Sequence, residues 1–318
     1  KIVLSAGQET MVPVLPRVTT SNTVSLRSDA SYLVVGGFGG LGRSICSYLA
    51  SRGAKNLVVL SRNAKADKLA QLQTELNHVA EGVKVTAISC DISNMAVLTK
   101  ALDCVARGVP PIRGIIHGGM ELRDSVLEHM KVEDHKAALA PKLNGSWNLH
   151  QYFSSTSSKQ GKGALDFYVM LSSLVGVVGF ASQSNYSAGG TFQDSLATHR
   201  VANGLPGVSL DLAVVKSVGY LADHPDSEKT IESLKRHGFT ALAEDEVLAA
   251  IGSAIQTPFA GQLTLGLNCG PTGQPSPDAP LAHDARFAQL KHRAVKTSTA
   301  PTAASGNSSD LSSLLATP

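Results

Sequence analysis

The 318-residue sequence has few features of a membrane, secreted, metal-binding or nucleic-acid-binding protein. Its longest apolar run, residues 167–181, is broken by serines and glycines and is too short to span a bilayer, and no secretory signal opens the chain. Four cysteines share no CxxC or Cys/His spacing, so we expect reduced thiols in a cytoplasmic protein, with neither a disulfide framework nor a metal site. A formal charge of +3 without a basic stripe disfavours a nucleic-acid surface.

What the sequence does contain is enough apolar material, 43% of residues, for one large core. From residue 31 onwards, β-branched apolar runs alternate with segments of helical spacing. Many of these runs are apolar on both faces, which predicts a doubly wound parallel α/β sheet of Rossmann type that binds ligands at the carboxyl ends of its strands. The candidate strands are residues 32–36, 56–60, 83–88, 112–117, 165–171, 207–212 and 262–267, and the candidate helices are residues 40–52, 67–78, 93–107, 124–153, 185–203 and 244–256.

The two ends of the chain differ in character from this body. Residues 1–30 begin with Lys1 and contain one strand-like run without partners, so we expect a linker or the remnant strand of a preceding domain. Residues 271–318 end in a Ser/Thr/Ala/Pro/Gly-rich tail without periodicity, which is typical of a linker. Residues 154–164 are predicted to form an exposed insertion. We therefore expect a piece of a longer polypeptide whose folded domain covers residues 31–270.

The segment "VVGGFGGLGRSI" places glycines at the junction between the first strand and the first helix. Gly37, Gly39 and Gly42 have GxGxxG spacing, which lets the backbone approach a pyrophosphate at the N-terminus of a helix. The alternative is a tight turn that only packs the helix on the strand. The predicted cofactor-binding residues here are Gly36, Gly37, Phe38, Gly39, Gly40, Leu41 and Gly42.

The second strand ends in "VVLSRN", and this end predicts which dinucleotide binds. Domains that bind NAD usually carry an acidic residue here, which bonds the ribose 2′-hydroxyl, but this chain has Ser61 and Arg62. A guanidinium can bind a 2′-phosphate through two hydrogen bonds, so the prediction is NADPH. The alternative is a solvated arginine.

Two further strand ends supply candidate cofactor contacts. Asp91 and Ile92 follow the third strand, and Asp91 could either accept a hydrogen bond from the adenine amino group or cap the next helix. His117, Gly118 and Gly119 end the fourth strand, where glycines let the backbone pass close to the cofactor. We expect His117 to be a structural partner there and not a base.

The fifth strand ends in serine, and a tyrosine follows 13 positions later at the start of a helix. We expect the apolar, small-residue run between them to be a flexible loop. Ser173 could bond a carbonyl oxygen over the nicotinamide while Tyr186 protonates it, which is the geometry of a reductase. A free tyrosine has a pKa of about 10, and a lysine within roughly 4–6 Å is predicted to lower it by about 1–3 units. Serines that cap and tyrosines that pack are the alternative.

Six motifs in this order resemble the ketoreductase domain of fungal highly reducing polyketide synthases, a subfamily of the short-chain dehydrogenase/reductases. They are "YLVVGGFGGLG", "VVLSR", "IIHGGM", "PKLNGSWNLH", "LSSLVGVVG" and "SQSNYSAGGTFQD", and the resemblance covers about residues 31–270. It implies NADPH-dependent reduction of a β-ketoacyl chain, carried on the phosphopantetheine of an acyl carrier protein, to the β-hydroxyacyl chain. It also implies enoylreductase and dehydratase domains in the same synthase, and a C-terminal linker that leads towards the acyl carrier protein.

The resemblance assigns the catalytic roles to the serine and tyrosine named above and the family's lysine to Lys142. Lys142, Gly145 and Leu149 fit the K-x-x-G-x-x-x-L pattern that synthase ketoreductases carry on the long helix before the fifth strand. Gly145 is expected to permit close helix packing. Pro141 is expected to break the helix just before the lysine and to direct its amine inward. A surface lysine is the alternative.

One position departs from the family pattern. Many synthase ketoreductases carry asparagine four residues after the tyrosine, where this chain has Gly190, and Asn185 or Gln193 could substitute for it. The departure keeps a second function open, a catalytically inactive structural domain of a synthase. A free-standing NAD(P)-dependent dehydrogenase is the third.

The product's configuration has weaker signals. "LRD", residues 122–124, partly matches the leucine-aspartate-aspartate loop that marks one product hand in bacterial relatives, and Val178 stands near the position of the tryptophan that marks the other. The sequence thus leans to the D-hydroxy product. Lys216 and Ser217 lie where the family's substrate-side loop follows the sixth strand, although a solvated loop is an equal alternative.

Overall fold

Strands and helices alternate along the chain, as the sequence predicts. The computed structural model describes residues 24–156, 165–216 and 239–267, together with the isolated positions 232 and 285. Its strands are β1 (Ser31–Val35), β2 (Asn56–Ser61), β3 (Lys84–Ser89), β4 (Ile112–His117), β5 (Phe167–Ser173), β6 (Val208–Leu212) and β7 (Gly261–Leu265). Its α-helices are α1 (Gly40–Ser51), α2 (Ala66–Val79), α3 (Met95–Val105), α4 (Val132–Ala140), α5 (Ser146–Thr156), α6 (Leu174–Val178), α7 (Ser184–Ala202) and α8 (Glu244–Gln256).

The seven strands form one sheet in the order β3-β2-β1-β4-β5-β6-β7, and every neighbouring pair is parallel. This arrangement confirms the predicted doubly wound α/β fold. The strand order reverses between β1 and β4, and in such sheets the ligand crevice lies at the carboxyl ends of the strands on either side of the reversal. The loops that follow β1 and β4 are therefore neighbours, although β1 ends at Val35 and β4 ends only at His117.

Each face of the sheet is covered by its own set of helices, which explains why the strands are apolar on both faces. Along β1, Tyr32 and Val34 join one apolar cluster, with side chains of α1, α2 and α8. Leu33 and Val35 point the other way and join the second cluster, with side chains of α3, α5 and α7. The period of two along each strand thus divides the core into two layers.

The predicted helix at residues 124–153 is wrong in its first part, residues 124–131, and interrupted in its middle. Residues 127–129 form one 3-10 turn, α4 begins only at residue 132, and a π-helical turn, Pro141–Gly145, joins α4 to α5. The backbone N–H of Ser125 bonds to the carbonyl of Ser182, which holds this part of the chain in a loop. Pro141 does not break the helix, because its φ of −67° and ψ of −39° are helical and the π turn continues the helical backbone through it.

The run after Ser173 is also more ordered than a flexible loop. Its residues 174–178 form the short helix α6, while residues 179–183 are irregular. Ser173 caps α6 and accepts a hydrogen bond from the backbone N–H of Val175 at 3.3 Å. The helix ends at Gly179, whose φ of 79° favours glycine. α6 lies close to α7, since a Cβ on Gly176 would sit 3.3 Å from the Cα of Gly190.

Part of the predicted N-terminal linker packs against the domain. Val24 is buried, the N–H of Leu26 bonds the carbonyl of Arg52 at 2.8 Å, and the N–H of Arg27 bonds the hydroxyl of Tyr32. Residues 154–156 of the predicted insertion belong to the end of α5 and are not part of an insertion. Residues 1–23, residues 157–164 of that insertion and the predicted C-terminal linker, except residue 285, lie outside the described residues. Within the described ranges, no helix is long and apolar enough to cross a membrane.

Candidate functional site

The glycine turn between β1 and α1 is built so that side chains would not fit. Gly36 has a φ of +83°, and a Cβ on Gly42 would lie 2.2 Å from the carbonyl oxygen of Gly36. A Cβ on Gly37 would lie 2.9 Å from the side chain of Val59. The bare backbone of this turn thus leads directly into the N-terminus of α1, a surface that fits the pyrophosphate of a dinucleotide.

The loop after β4 closes against the glycine turn. The N–H of Gly118 bonds the carbonyl of Val35 at 3.0 Å, and a Cβ on Gly36 would lie 3.2 Å from the carbonyl oxygen of Gly118. The structure therefore brings together the two predicted glycine segments at the reversal of strand order.

Arg62 lies at the end of β2, but its guanidinium is already engaged. It forms an ion pair with Glu121, and the other carboxylate oxygen of Glu121 pairs with Arg123. Burial alone would raise the pKa of the Glu121 carboxyl, but the two guanidiniums hold it below its usual range. The Arg62 side chain is 63% exposed and that of Glu121 only 15%. The sequence gives no signal for this partner, because Glu121 is 59 residues away in an irregular loop.

Asp91 does not cap the helix after β3, so that alternative is wrong. Its carboxylate accepts hydrogen bonds from the backbone N–H of Ser93 at 2.9 Å and from the Ser93 hydroxyl at 2.7 Å, in a local turn. The cap of α3 is Asn94, which accepts from the N–H of Val97 at 3.1 Å. The exposed Asp91 stays a predicted cofactor contact.

Lys142 lies inside the protein and not on its surface. Its side chain is 1% exposed and extends from the π turn to the carboxyl end of β5. The ammonium nitrogen donates to the carbonyl of Leu171 at 2.8 Å and to the side-chain oxygen of Gln193 at 2.9 Å. It also lies 5.0 Å from the centre of the Tyr186 ring. The structure thus places the predicted lysine beside the predicted tyrosine.

The π turn that carries Lys142 is held by two buried contacts. Nε2 of His117 donates to the carbonyl of Pro141 at 2.9 Å, since its Nδ1 accepts from the N–H of Gly119 at 3.1 Å. Burial lowers the pKa of His117 to about 4, so the ring is neutral and structural. A Cβ on Gly145 would lie 2.4 Å from Cδ1 of Ile92. Gly145 therefore permits close approach to the loop after β3, and not to another helix as the sequence suggests.

Ser173 and Tyr186 meet where β5 ends and α7 begins, and the Ser173 side chain is near enough to affect the pKa of the Tyr186 phenol. The prediction that lysine lowers the pKa of this phenol is wrong for the chain as described. Burial raises the pKa of Tyr186 to about 12, although the neighbouring Ser173 hydroxyl acts in the opposite direction. The negative charge of Asp124 adds to the effect of burial. Burial lowers the pKa of Lys142 itself to about 8, so it is still an ammonium at neutral pH. A protonated phenol is the form that can give a proton to a substrate.

A pair of buried carboxyl groups, Asp194 on α7 and Asp211 on β6, lies behind Lys142. Burial raises the pKa of both, and their negative charges oppose the effect of burial on the lysine. Ser209 donates to Asp194 at 2.6 Å, and Gln262 donates to Asp211 at 2.6 Å. The sequence signal that could have indicated this buried pair is Asp211, an aspartate inside the apolar strand "VSLDL".

The segment predicted to influence the product's configuration is tied to the start of α7. The side-chain amide of Asn185 donates to the carbonyl of Arg123 at 2.8 Å, and that of Gln183 donates to Asp124 at 2.7 Å. Lys216 is exposed, and Ser217 lies outside the described residues. The D-hydroxy product stays a prediction.

Known proteins are similar to this chain in both fold and sequence. Residues 30–217 match the family model described as KR domain. A "Highly reducing polyketide synthase" of Aspergillus terreus is 45% identical over 98% of the chain, but the chain spans only 12% of that protein's length. Among solved structures, A-type ketoreductases from a modular polyketide synthase are 27% identical with a TM-score of 0.66, covering 81% of this chain and 51% of theirs. The first ketoreductase of the tylosin synthase is also 27% identical, with a TM-score of 0.65, over 82% of this chain and 56% of its own.

Proposed function

The chain belongs to the KR-domain family, the ketoreductases of polyketide synthases within the short-chain dehydrogenase/reductase superfamily, and we propose that it reduces a β-ketoacyl thioester to the β-hydroxyacyl thioester with NADPH. Members of this family are oxidoreductases that use nicotinamide cofactors. The observation that carries the proposal is the buried Lys142 ammonium 5.0 Å from the ring of Tyr186, beside Ser173.

The glycine turn, the loop after β4 and the end of β2 would hold the cofactor. Its pyrophosphate fits over the bare backbone at Gly37, Gly39 and Gly42, at the N-terminus of α1. Arg62 is the residue we assign to the 2′-phosphate, and the exposure of its side chain leaves it accessible. The remaining assigned residues are Gly36, Phe38, Gly40, Leu41, Ser61, Asp91, Ile92, His117, Gly118 and Gly119. When bound, the reduced nicotinamide supplies a hydride to the substrate carbon.

The roles of this chain's own side chains follow from their protonation. The phenol of Tyr186, whose pKa is about 12, keeps its proton at neutral pH and donates it to the substrate oxygen. The hydroxyl of Ser173 donates a hydrogen bond to the same oxygen and so stabilises the charge that develops there. The ammonium of Lys142 faces the phenolate that remains, and this attraction is stronger inside the protein than in water.

The substrate and the surrounding domains are also part of the proposal. Full-length relatives are named highly reducing polyketide synthases, and this chain corresponds to about an eighth of such a protein. We assign the substrate as a β-ketoacyl chain carried on the phosphopantetheine of an acyl carrier protein. We assign the reaction to the cytoplasm. Enoylreductase and dehydratase domains would lie elsewhere in the same polypeptide. Gly190 is the observation that favours the competing function, an inactive structural domain.

Two measurements on one protein preparation test the proposal. The first is NADPH oxidation with an acetoacetyl thioester of N-acetylcysteamine, for which Tyr186→Phe should lower kcat by about 10²–10⁴-fold. Tyr32→Phe is the matched control, because its hydroxyl bonds Arg27 at the opposite edge of the sheet, and it should keep wild-type turnover.

The second measurement is a fluorescence titration with NADPH and with NADH, in which NADPH should bind more tightly. Retained turnover in Tyr186→Phe contradicts the catalytic assignment. An unmodified chain that binds neither dinucleotide is a structural domain instead.

A further inference from the structure

One face of α7 packs against the π turn that carries Lys142. Tyr186, Gly189, Gly190 and Gln193 are spaced by three, four and seven residues, so they share a face of this helix. A Cβ on Gly189 would lie 3.0 Å from Cβ of Lys142, so the aliphatic part of the lysine runs directly over this glycine. The same helix face thus receives the lysine chain at its middle and presents a tyrosine and a glutamine on either side.

The two acceptors of the Lys142 ammonium differ in kind. The carbonyl of Leu171 belongs to the backbone of β5 and would be there whatever the side chain, whereas the side-chain oxygen of Gln193 depends on the sequence. Asn185 and Gln193 are the two amides that could substitute for the family's asparagine, which is Gly190 here, but Asn185 is engaged elsewhere. Its oxygen accepts from the N–H of Tyr186 and its nitrogen donates to Arg123.

The Gln193 amide itself has one favourable orientation. Its nitrogen donates to the hydroxyl of Ser146 at 3.1 Å, and both residues are fully buried. Ser146 begins α5 directly after the π turn, so the amide joins α7 to the two ends of the lysine-bearing segment. Rotating the amide by 180° would turn its N–H groups towards an ammonium, which cannot accept a hydrogen bond.

We propose that Gln193 is a positioning residue of this ketoreductase, whose side-chain oxygen holds the Lys142 ammonium against the Tyr186 ring where Gly190 offers no side chain. The proposal rests on the catalytic roles proposed above for Lys142 and Tyr186. Because the amide is uncharged, it fixes the ammonium without neutralising the charge that the phenolate needs. The other titratable groups that face Lys142 are His117 on β4, Tyr186 and Asp194 on α7, and Asp211 on β6.

The test measures the titration of Lys142 directly, by NMR on protein labelled with ¹³C at lysine Cε, with the signal assigned from Lys142→Met. Gln193→Leu removes the acceptor, which disfavours the charged amine, so the lysine should titrate about one pH unit lower. Gln193→Glu keeps the shape and adds a negative charge, so it should titrate higher. Gln73→Leu makes the same chemical change on α2, where the amide bonds the backbone of Val83 and Val85 at the start of β3, and should leave the titration unchanged.

The activity readout must follow the same order. The alkaline limb of the kcat–pH profile should shift down in Gln193→Leu and up in Gln193→Glu, and the shift alone should lower kcat at pH 7 by about twofold in the leucine variant. A purely structural role of Gln193 predicts that both variants lose kcat equally, without pH shifts of opposite sign. An unshifted Lys142 titration, or an unshifted alkaline limb of the kcat–pH profile, therefore overturns the proposal. Absence of turnover in the wild-type chain would contradict the proposed function alone, since the NMR titration requires no substrate.

Discussion

Two turns lie at the carboxyl edge of the sheet, the glycine turn after β1 and the π turn that carries Lys142, and they are built by opposite means. The first is shaped by missing side chains, because a Cβ on Gly42 would collide with the backbone. The second is shaped by buried polar side chains, in which His117 holds Pro141 and Gln193 holds Lys142. A turn of the first kind is constrained mainly by sterics, and one of the second kind by hydrogen bonds and charge. Substitutions should therefore damage different properties in the two turns.

Gly42→Ala should have the largest effect on folding. Its Cβ would lie 2.2 Å from the backbone oxygen of Gly36, and no side-chain rotation can relieve this clash. We therefore expect the free energy of unfolding to fall by roughly 1–3 kcal/mol. NADPH binding should fall with it, because the turn must open. Urea unfolding and the fluorescence titration measure the two losses. Gly39→Ala is the control, since its Cβ would have 3.5 Å to the nearest atom and should cost less than about 1 kcal/mol.

Lys142→Met should reverse this pattern, with activity lost and stability kept. Removing the ammonium should lower kcat by about 10²–10⁴-fold. A buried amine whose pKa falls from 10.5 to about 8 destabilises the fold below pH 8, so methionine should be at least as stable there. Between pH 8 and 10.5 the unfolded chain binds more protons at this lysine, so the wild type should gain stability relative to the variant as pH rises, by up to about 3 kcal/mol.

Urea unfolding of both proteins across that pH range measures this difference. A variant that is much less stable than the wild type at pH 7 would contradict the assignment of the lysine to function. If the free energy of unfolding changed equally with pH in the two proteins, this would contradict the lowered pKa of Lys142.

The contrast also explains what the sequence predicts and what it does not. The sheet and the glycine turn could be predicted because apolar period and glycine spacing are local signals, and the bounds of the strands agree within about two residues. Ser173 and Tyr186 are predicted from their positions after the fifth strand, and Lys142 through the family resemblance, and the structure brings the three together. The π turn, the engagement of Arg62 by Glu121 and the binding of Lys142 by Gln193 instead depend on contacts between segments distant in sequence, which no local pattern encodes.

Glu121→Gln should have the smallest effect and sharpens the comparison at its cofactor end. The carboxylate of Glu121 now competes with any 2′-phosphate for Arg62, so removing its charge should tighten NADPH binding and leave NADH binding unchanged. Because Arg62 is largely exposed, the pair is worth less than about 1 kcal/mol, which limits the gain to about fivefold.

Paired fluorescence titrations of both dinucleotides measure the effect of Glu121→Gln. Asp166→Asn removes a similar ion pair, with Arg113 at the amino end of β4, and should change neither affinity. Equal tightening for NADPH and NADH would mean that Glu121 acts through the loop it anchors and not through the phosphate. Arg62 would then have to be replaced as the residue that selects the cofactor, and the charge on the 2′-phosphate would have to be met by another cation at the carboxyl edge of β2.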